Sequence, residues 1–186
     1  RTLLERLSRQ PHVIAAAPTI YEEVMISRGP RARGSVLKGI IPSSENKVSD
    51  LLKSVTIGSA AALDETQGQA EPEASRAPPR VEVARQLPDS LGAVQERVRE
   101  MPPIILGKDM AGYIGAEVGS IVLVTSPQGE LTPLGMVPKY SRFRVAGIFD
   151  SGFYDYDGNW CFFALSAAQS LAGAGNTVYV PAFPLY

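Results

Sequence analysis

The stretch IVLVTSPQGELTPLGMVPKYSRFRVAGIF, from Ile121 to Phe149, decides how the chain is read. Ile121 to Thr125 is β-branched and apolar, which suits a strand. Phe143, Val145, Gly147 and Phe149 alternate with Arg144, Ala146 and Ile148, and this predicts a returning strand. Between them runs PQGELTPLGMVP, Pro127 to Pro138. Hairpin loops usually hold two to five residues, so this connection is long. Prolines at 127, 133 and 138 fix φ and remove backbone donors, which stiffens the loop and keeps it from joining a ladder fully. Leu131, Leu134, Met136 and Val137 are apolar. On a protruding loop they would face water, and exposed apolar residues on a stiff arm suggest a partner-binding element. The other reading, a floppy loop or one folded onto its own domain, stands beside it at this point.

The rest of the chain sets the frame. Its 186 residues suffice for one domain or two small ones with a sizeable core. With 45% hydrophobic and 20% charged residues, it has the balance of an ordinary soluble globular protein. A net charge of -1 argues against a nucleic-acid partner, which calls for a basic face. The single cysteine, Cys161, rules out an intramolecular disulfide. No run of about 18 apolar residues offers a membrane span. The chain begins directly in a helical pattern, without an apolar leader, which fits a soluble domain excised from a larger protein.

In chain order, RTLLERLSRQ predicts an amphipathic helix, with Thr2 and Glu5 as a capping box and Pro11 as its end. Val13 to Ala17 predicts a buried strand. Ile20 to Arg28 and Ser35 to Ile41 predict a hairpin around a charged turn, Gly29 to Gly34, whose Arg31 and Arg33 read as solvated. Pro42 to Asn46 reads as a loop and Lys47 to Ser54 as a short helix. The composition shifts at about Ser59, and Gln69 to Arg80 is proline-rich and poor in apolar residues. It cannot bury enough surface to order itself, so it reads as a flexible insertion. Leu91 to Val98 predicts a short helix. Ile104 to Leu106 predicts a buried strand, followed by a helical turn through Met110, Ala111 and Ile114. Asp150 to Asp157 reads as a loop, Trp160 to Leu165 as a strand, Ser166 to Leu171 as a helix capped by Ser166, and Asn176 to Val180 as a last strand before a frayed tail. Hairpins mixed with short helices, and no repeat of fixed period, give an α+β class.

Residues for catalysis are sparse. The only histidine, His12, stands beside a proline at a helix end and reads as structural or solvated. Cys161 lies in an apolar strand and reads as a small core residue, with a thiol enzyme as the rival reading. Gly107-Lys108 lacks the earlier glycine of a phosphate loop, because position 102 is proline. Asp155, Asp157 and Asn159 have the spacing of a calcium loop. Position six is Trp160 and position twelve is Ser166, so the pattern fails. No cofactor and no metal site is expected.

With these residues placed, the chain resembles the extracytoplasmic domain of LolC/LolE-type permeases, the lipoprotein-releasing members of the MacB-like ABC transporter family. The likeness rests on IILGKDMAGYIGAEVGSIVLVTSPQG and TPLGMVPKYSRFRVAGIFDSGFYDYD, with PHVIAAAPTIYEEVMIS and VLKGIIP at the start. It covers most of the chain outside Ala60 to Met101. The proline-rich insertion departs from the family pattern. So does NTVYVPAFPLY, which stops before the further strand and helix that complete the family's porter part.

The resemblance implies a periplasmic domain of an inner-membrane protein. It implies a porter-like βαβ part, residues 1–58 with a C-terminal return at 151–186, and a flexible insertion at 59–102. A strand-rich Sabre-like part at 103–150 would bear a long protruding β-hairpin, the Hook. The Hook would comprise Pro127, Gln128, Gly129, Glu130, Leu131, Thr132, Pro133, Leu134, Gly135, Met136, Val137 and Pro138, with Leu134 at the tip. Lys139, Tyr140 and Arg142 would form the adjoining Pad. The implied partners are a LolA-like periplasmic lipoprotein chaperone, a second permease subunit in a homo- or heterodimer, a cytoplasmic ATPase subunit and the lipoprotein cargo. The domain itself would not be an enzyme. LolC-like, LolE-like and single combined permeases all remain open, and a MacB-like efflux or mechanotransmission permease that meets an adaptor protein is the alternative.

Overall fold

The computed structural model describes residues 6–7, 10, 12–65, 101–132, 135–172 and 182–184. The expected amino-terminal helix lies outside them except for Arg6, Leu7 and Gln10, as do residues 66–100 of the expected insertion, with the Leu91–Val98 helix, and the Asn176–Val180 strand. In chain order the elements are β1 (Val13–Ala16), β2 (Thr19–Arg28), β3 (Arg31–Ile40), α1 (Pro42–Glu45), a 3-10 turn (Leu51–Ser54), β4 (Val55–Gly58) and α2 (Ala62–Glu65). Beyond residue 100 come β5 (Pro103–Gly107), α3 (Lys108–Ile114), β6 (Ile121–Thr132), β7 (Gly135–Phe149), α4 (Tyr154–Asn159), β8 (Trp160–Ala164), α5 (Leu165–Ala172) and β9 (Ala182–Pro184). The sheet is mixed and the helices are short.

Seven strands form one sheet in the order β4-β7-β5-β8-β3-β2-β6, and β6 also pairs with β7. Six strands therefore close into a ring, with β4 attached outside it. β1 and β9 form a separate antiparallel pair. The tail read as frayed thus contributes a strand. The segments that the family likeness assigns to different parts, 1–58, 103–150 and 151–186, all send strands into the one large sheet.

The core explains this topology. β8, WCFFA, and β5, PIILG, are buried along nearly their whole length. Continuous apolar runs of this kind are what a strand covered on both faces requires. Cys161 and Phe163 of β8 face the larger cluster, with Ile104, Leu106, Val145 and Leu37. Phe162 faces a second cluster with Ile40, Ile105, Phe149 and Leu63. The Phe143 and Phe163 rings meet at 4.3 Å and the Phe149 and Phe162 rings at 4.9 Å, one pair in each cluster.

Several local expectations are corrected. Phe143, Val145, Gly147 and Phe149 do not share one face. The β5–β7 register shifts between Ile104–Val145 and Ile105–Gly147, leaving Ala146 as an extra residue. A bulge of this kind reverses the alternation. Phe143, Val145 and Ile148 accordingly face the first cluster and Phe149 the second. The β2–β3 turn is only Gly29 and Pro30, since Gly29 takes φ 58° and lets Arg28 pair with Arg31. Pro42 begins a helix rather than a loop, as its fixed φ suits a first helical position. Tyr154 to Asn159 is helical where a loop was expected. Ser166 lies inside α5, and its buried hydroxyl has no hydrogen-bond partner among the described residues, so it does not cap that helix.

Candidate functional site

The β6–β7 hairpin is paired far beyond the strand ends read from the sequence. Regular pairs run from Ile121–Arg144 to Ser126–Lys139, and pairing resumes at Glu130–Val137, Leu131–Met136 and Thr132–Gly135. The register shifts in between. Pro127 and Pro138 both fall in that interruption. A proline cannot donate to a ladder, so the two rings sit where the ladder asks nothing of them. The expected loop is therefore a second, outer piece of the hairpin. Pro133 and Leu134, the expected tip, lie outside the described residues. The side chains of Gln128 to Thr132 and of Met136 lie outside them too.

The support of the hairpin ends before the hairpin does. β2 pairs with β6 only at Met25–Thr125, Ile26–Val124 and Ser27–Leu123. Past Thr125 the ladder pairs of β6 among the described residues are with β7 alone. The outer part is thus a two-stranded ribbon, with Val137 51% exposed on it. Beside its root lies a groove of about 480 Å³, bounded by Met25, Gly34, Val36, Thr125 and Pro127.

Strand alternation divides the expected Pad. Tyr140 and Arg142 are exposed on the outer face. Lys139 points the other way and is partly buried, and its Nζ donates to the carbonyl oxygen of Ser170 in α5. Next to it, Ser126 Oγ donates to Glu22 Oε1 of β2. Glu22 is only 6% exposed, and its Oε2 has no hydrogen-bond partner among the described residues. Burial pushes its carboxyl above the ordinary 4.5, against the opposing effects of the Ser126 hydrogen bond and the Lys139 charge. Strand alternation places Glu22 on the face of Ile20, Val24 and Ile26, but nothing in the sequence points to Ser126 as its partner.

The other candidates are taken up by the fold. Arg31 and Arg33 are not merely solvated. Arg31 donates to the Tyr113 carbonyl at 3.2 Å, Arg28 donates to that of Gly115, and Arg33 lies 5.3 Å from the Tyr113 ring centre. Together they hold the carboxyl end of α3, where cations are favoured. Asp157 is buried and accepts from the Ser151 amide and hydroxyl, both at 2.8 Å, and from the Gly152 amide at 3.1 Å. Asn159 Oδ1 accepts from Arg33 at 3.3 Å. Gly107 lies against the backbone of α4, where a Cβ would meet the Asp157 carbonyl oxygen at 2.2 Å. Lys108 pairs with Asp150 at 2.7 Å. The Cys161 thiol is fully buried, and burial pushes its pKa up to about 12 even though Ser35 donates to the sulfur. A thiol held protonated is a poor nucleophile. His12 is exposed, with φ 75°.

No protein-family model matches the chain. Two sequence relatives carry the same description, lipoprotein-releasing system transmembrane protein LolC. That of Neisseria meningitidis serogroup B is 28% identical over 171 residues, 92% of this chain and 33% of that protein. That of Xylella fastidiosa strain 9a5c is 30% identical over 147 residues, 79% of this chain and 27% of that protein. The chain thus spans a third or less of the length of these relatives. In fold it is similar to the extracellular domain of the noncanonic ABC-type transporter YknZ from Gram-positive bacteria, with TM-score 0.53 and 14% identity over 97% of this chain and 70% of that one. The LolC-type likeness read from the sequence motifs is therefore found over most of the chain.

Proposed function

We infer that this chain, a relative of the LolC lipoprotein-releasing transmembrane proteins, is the periplasmic domain of an inner-membrane ABC transporter permease. It works by binding, not by catalysis. The β6–β7 hairpin recruits a LolA-like periplasmic lipoprotein chaperone, and the domain helps to hand over lipoproteins released from the membrane. ATP is hydrolysed by a separate cytoplasmic subunit, and a second permease subunit completes the transporter.

One observation supports the hairpin's role above the others. Its outer rungs, Glu130–Val137 to Thr132–Gly135, continue after the ladder to β2 has ended at Thr125. Isolated two-stranded ribbons are marginal in water. A ribbon that leaves its sheet and carries Leu131, Leu134, Met136 and Val137 is suited to docking in an apolar cavity. Tyr140 and Arg142, exposed on one face beside it, are residue types that interfaces favour.

The test is calorimetric titration of the domain with the periplasmic lipoprotein chaperone of the same cell. Wild type should bind. Leu134→Glu places a charge on the expected anchor and should abolish binding while leaving the unfolding midpoint unchanged, since anchors of this kind contribute about 2 kcal/mol or more. Unchanged affinity in that variant removes the hairpin reading. Absence of wild-type binding, with capture of an efflux adaptor protein instead, favours the mechanotransmission permease.

A further inference from the structure

The ladder between β2 and β6 stops at Met25–Thr125. The connection between the two strands does not. Ser126 Oγ donates to Glu22 Oε1, and both residues are on the interior face of the ring with buried Val24 and Val124. Glu22 and Ser126 stand diagonally across the strand pair, a separation of about 7–8 Å that a glutamate side chain can span. A side-chain bond thus takes over at the point where the backbone bonds end.

On the other strand of the same rung, Lys139 reaches α5 through the Ser170 carbonyl. The Ser126–Lys139 rung is therefore tied to β2 on one side and to α5 on the other. Immediately beyond it come the register shift and the two prolines. Bulges bend and twist a ribbon, so the direction of the outer hairpin is set by the last rung held firmly in place.

The energetics point the same way. A buried carboxylate with one unpartnered oxygen costs stability, and an apolar residue of similar volume is often neutral or better at such a site. Glu22 is thus a poor choice for stability and a good one for direction.

We propose that Glu22, Ser126 and Lys139 are positioning residues, an interior brace that fixes the angle at which the outer hairpin leaves the domain. The proposal deepens the reading of the hairpin as a docking arm and rests on it for its purpose, though not for its test. Spin labels at Val137→Cys, on the arm, and Asp109→Cys, on α3, report the arm's direction as a distance distribution. Both positions are exposed, whereas Cys161 is buried. Wild type should give one narrow distribution. Glu22→Leu should broaden it without lowering the unfolding midpoint. Ser126→Ala, which leaves both Glu22 oxygens unpartnered, should broaden it and lower the midpoint. Glu22→Gln, which keeps an acceptor for Ser126, should restore the narrow one. A narrow distribution in both Glu22→Leu and Ser126→Ala overturns the proposal. If Glu22→Leu does not fold, Ser126→Ala decides alone. Chaperone affinity of the same variants is a separate measurement. A chaperone that never binds wild type defeats the docking reading and leaves the distance result intact.

Discussion

Ser126 and Lys139 face each other as the last regular rung of the β6–β7 ladder, and from that rung their side chains part, Ser126 bonding to Glu22 of β2 and Lys139 to the Ser170 carbonyl of α5. A small polar residue and a long cation, unremarkable as a sequence pair, thereby tie β6 and β7 to β2 and α5 at the root of the arm. The rung also separates two regimes. Inside it, the strands belong to a closed ring with a packed core. Outside it, among the described residues, their ladder pairs are with each other.

The first prediction concerns pH. The Glu22 carboxyl is raised above its ordinary 4.5 chiefly by burial. Between 4.5 and the raised folded value, the folded protein binds more protons at this site than the unfolded chain does. Its contribution to stability therefore falls as pH rises through that window. Glu22→Gln removes the effect. Denaturant unfolding of both proteins from about pH 4.5 to neutrality should show wild type losing ground to the variant as pH rises. Parallel profiles would contradict the assignment.

A second prediction concerns the buried ion pair of Lys38 and Glu45, at 2.5 Å, which Ser49 supports with a 2.8 Å bond to the same carboxylate oxygen. Glu45→Ala leaves the buried Lys38 ammonium without its carboxylate and with only the Tyr21 ring, at 5.9 Å, near it, which should cost about 3–5 kcal/mol. Replacing both residues with apolar ones should cost much less. A loss in the double variant equal to the sum of the two single-variant losses, measured by urea unfolding, would show that the pair is not coupled.

Glycines offer a matched comparison. In Gly107→Ala the new methyl meets the Asp157 carbonyl oxygen at 2.2 Å, backbone against backbone, and overpacking of this kind costs about 1–3 kcal/mol. Gly112, on the exposed side of α3, has open space around it. Gly112→Ala should stabilise by up to about 1 kcal/mol through helix propensity. The opposite order of the two unfolding midpoints would refute this account of Gly107.

The last prediction concerns Cys161. A thiol with a pKa of about 12 and no exposure should resist alkylating and disulfide reagents in the folded protein at neutral pH, and react only on unfolding. Rapid labelling of the native chain would reopen the thiol-enzyme reading.

Much of this was legible in the residues. β2, β3, β5 and β8 stand within a few positions of their expected places, because alternation and unbroken apolar runs are strong local signals. The α+β class followed from them. What was hidden depends on partners far along the chain. The bulge at Ala146 arises only when β5 pairs with β7, and it moves Phe149 to another cluster. Arg31 and Arg33 look solvated until α3 packs beside them. Pro127, Pro133 and Pro138 suggested a loop, whereas two of them mark an interruption in a longer ladder. Lys139, Tyr140 and Arg142 read as one surface, although strand period alone puts Lys139 on the opposite face. Strand period puts Glu22 on the inward face with Val24, but its partner Ser126 lies 104 residues along the chain.

The flanks of residues 66–100 bear on how the chain tolerates change. β4 and β5 lie on either side of β7, with Gly58 and Ile105 both registered against Gly147. Leu63, just before residues 66–100, packs in the same cluster as Ile105, just after them. Strands two places apart are only about 10 Å from each other. The fold thus holds the two ends of this stretch close together. This makes it a natural port for grafting, where a fluorescent reporter or an affinity handle could be spliced in at the face of the sheet while the arm and its root stay untouched.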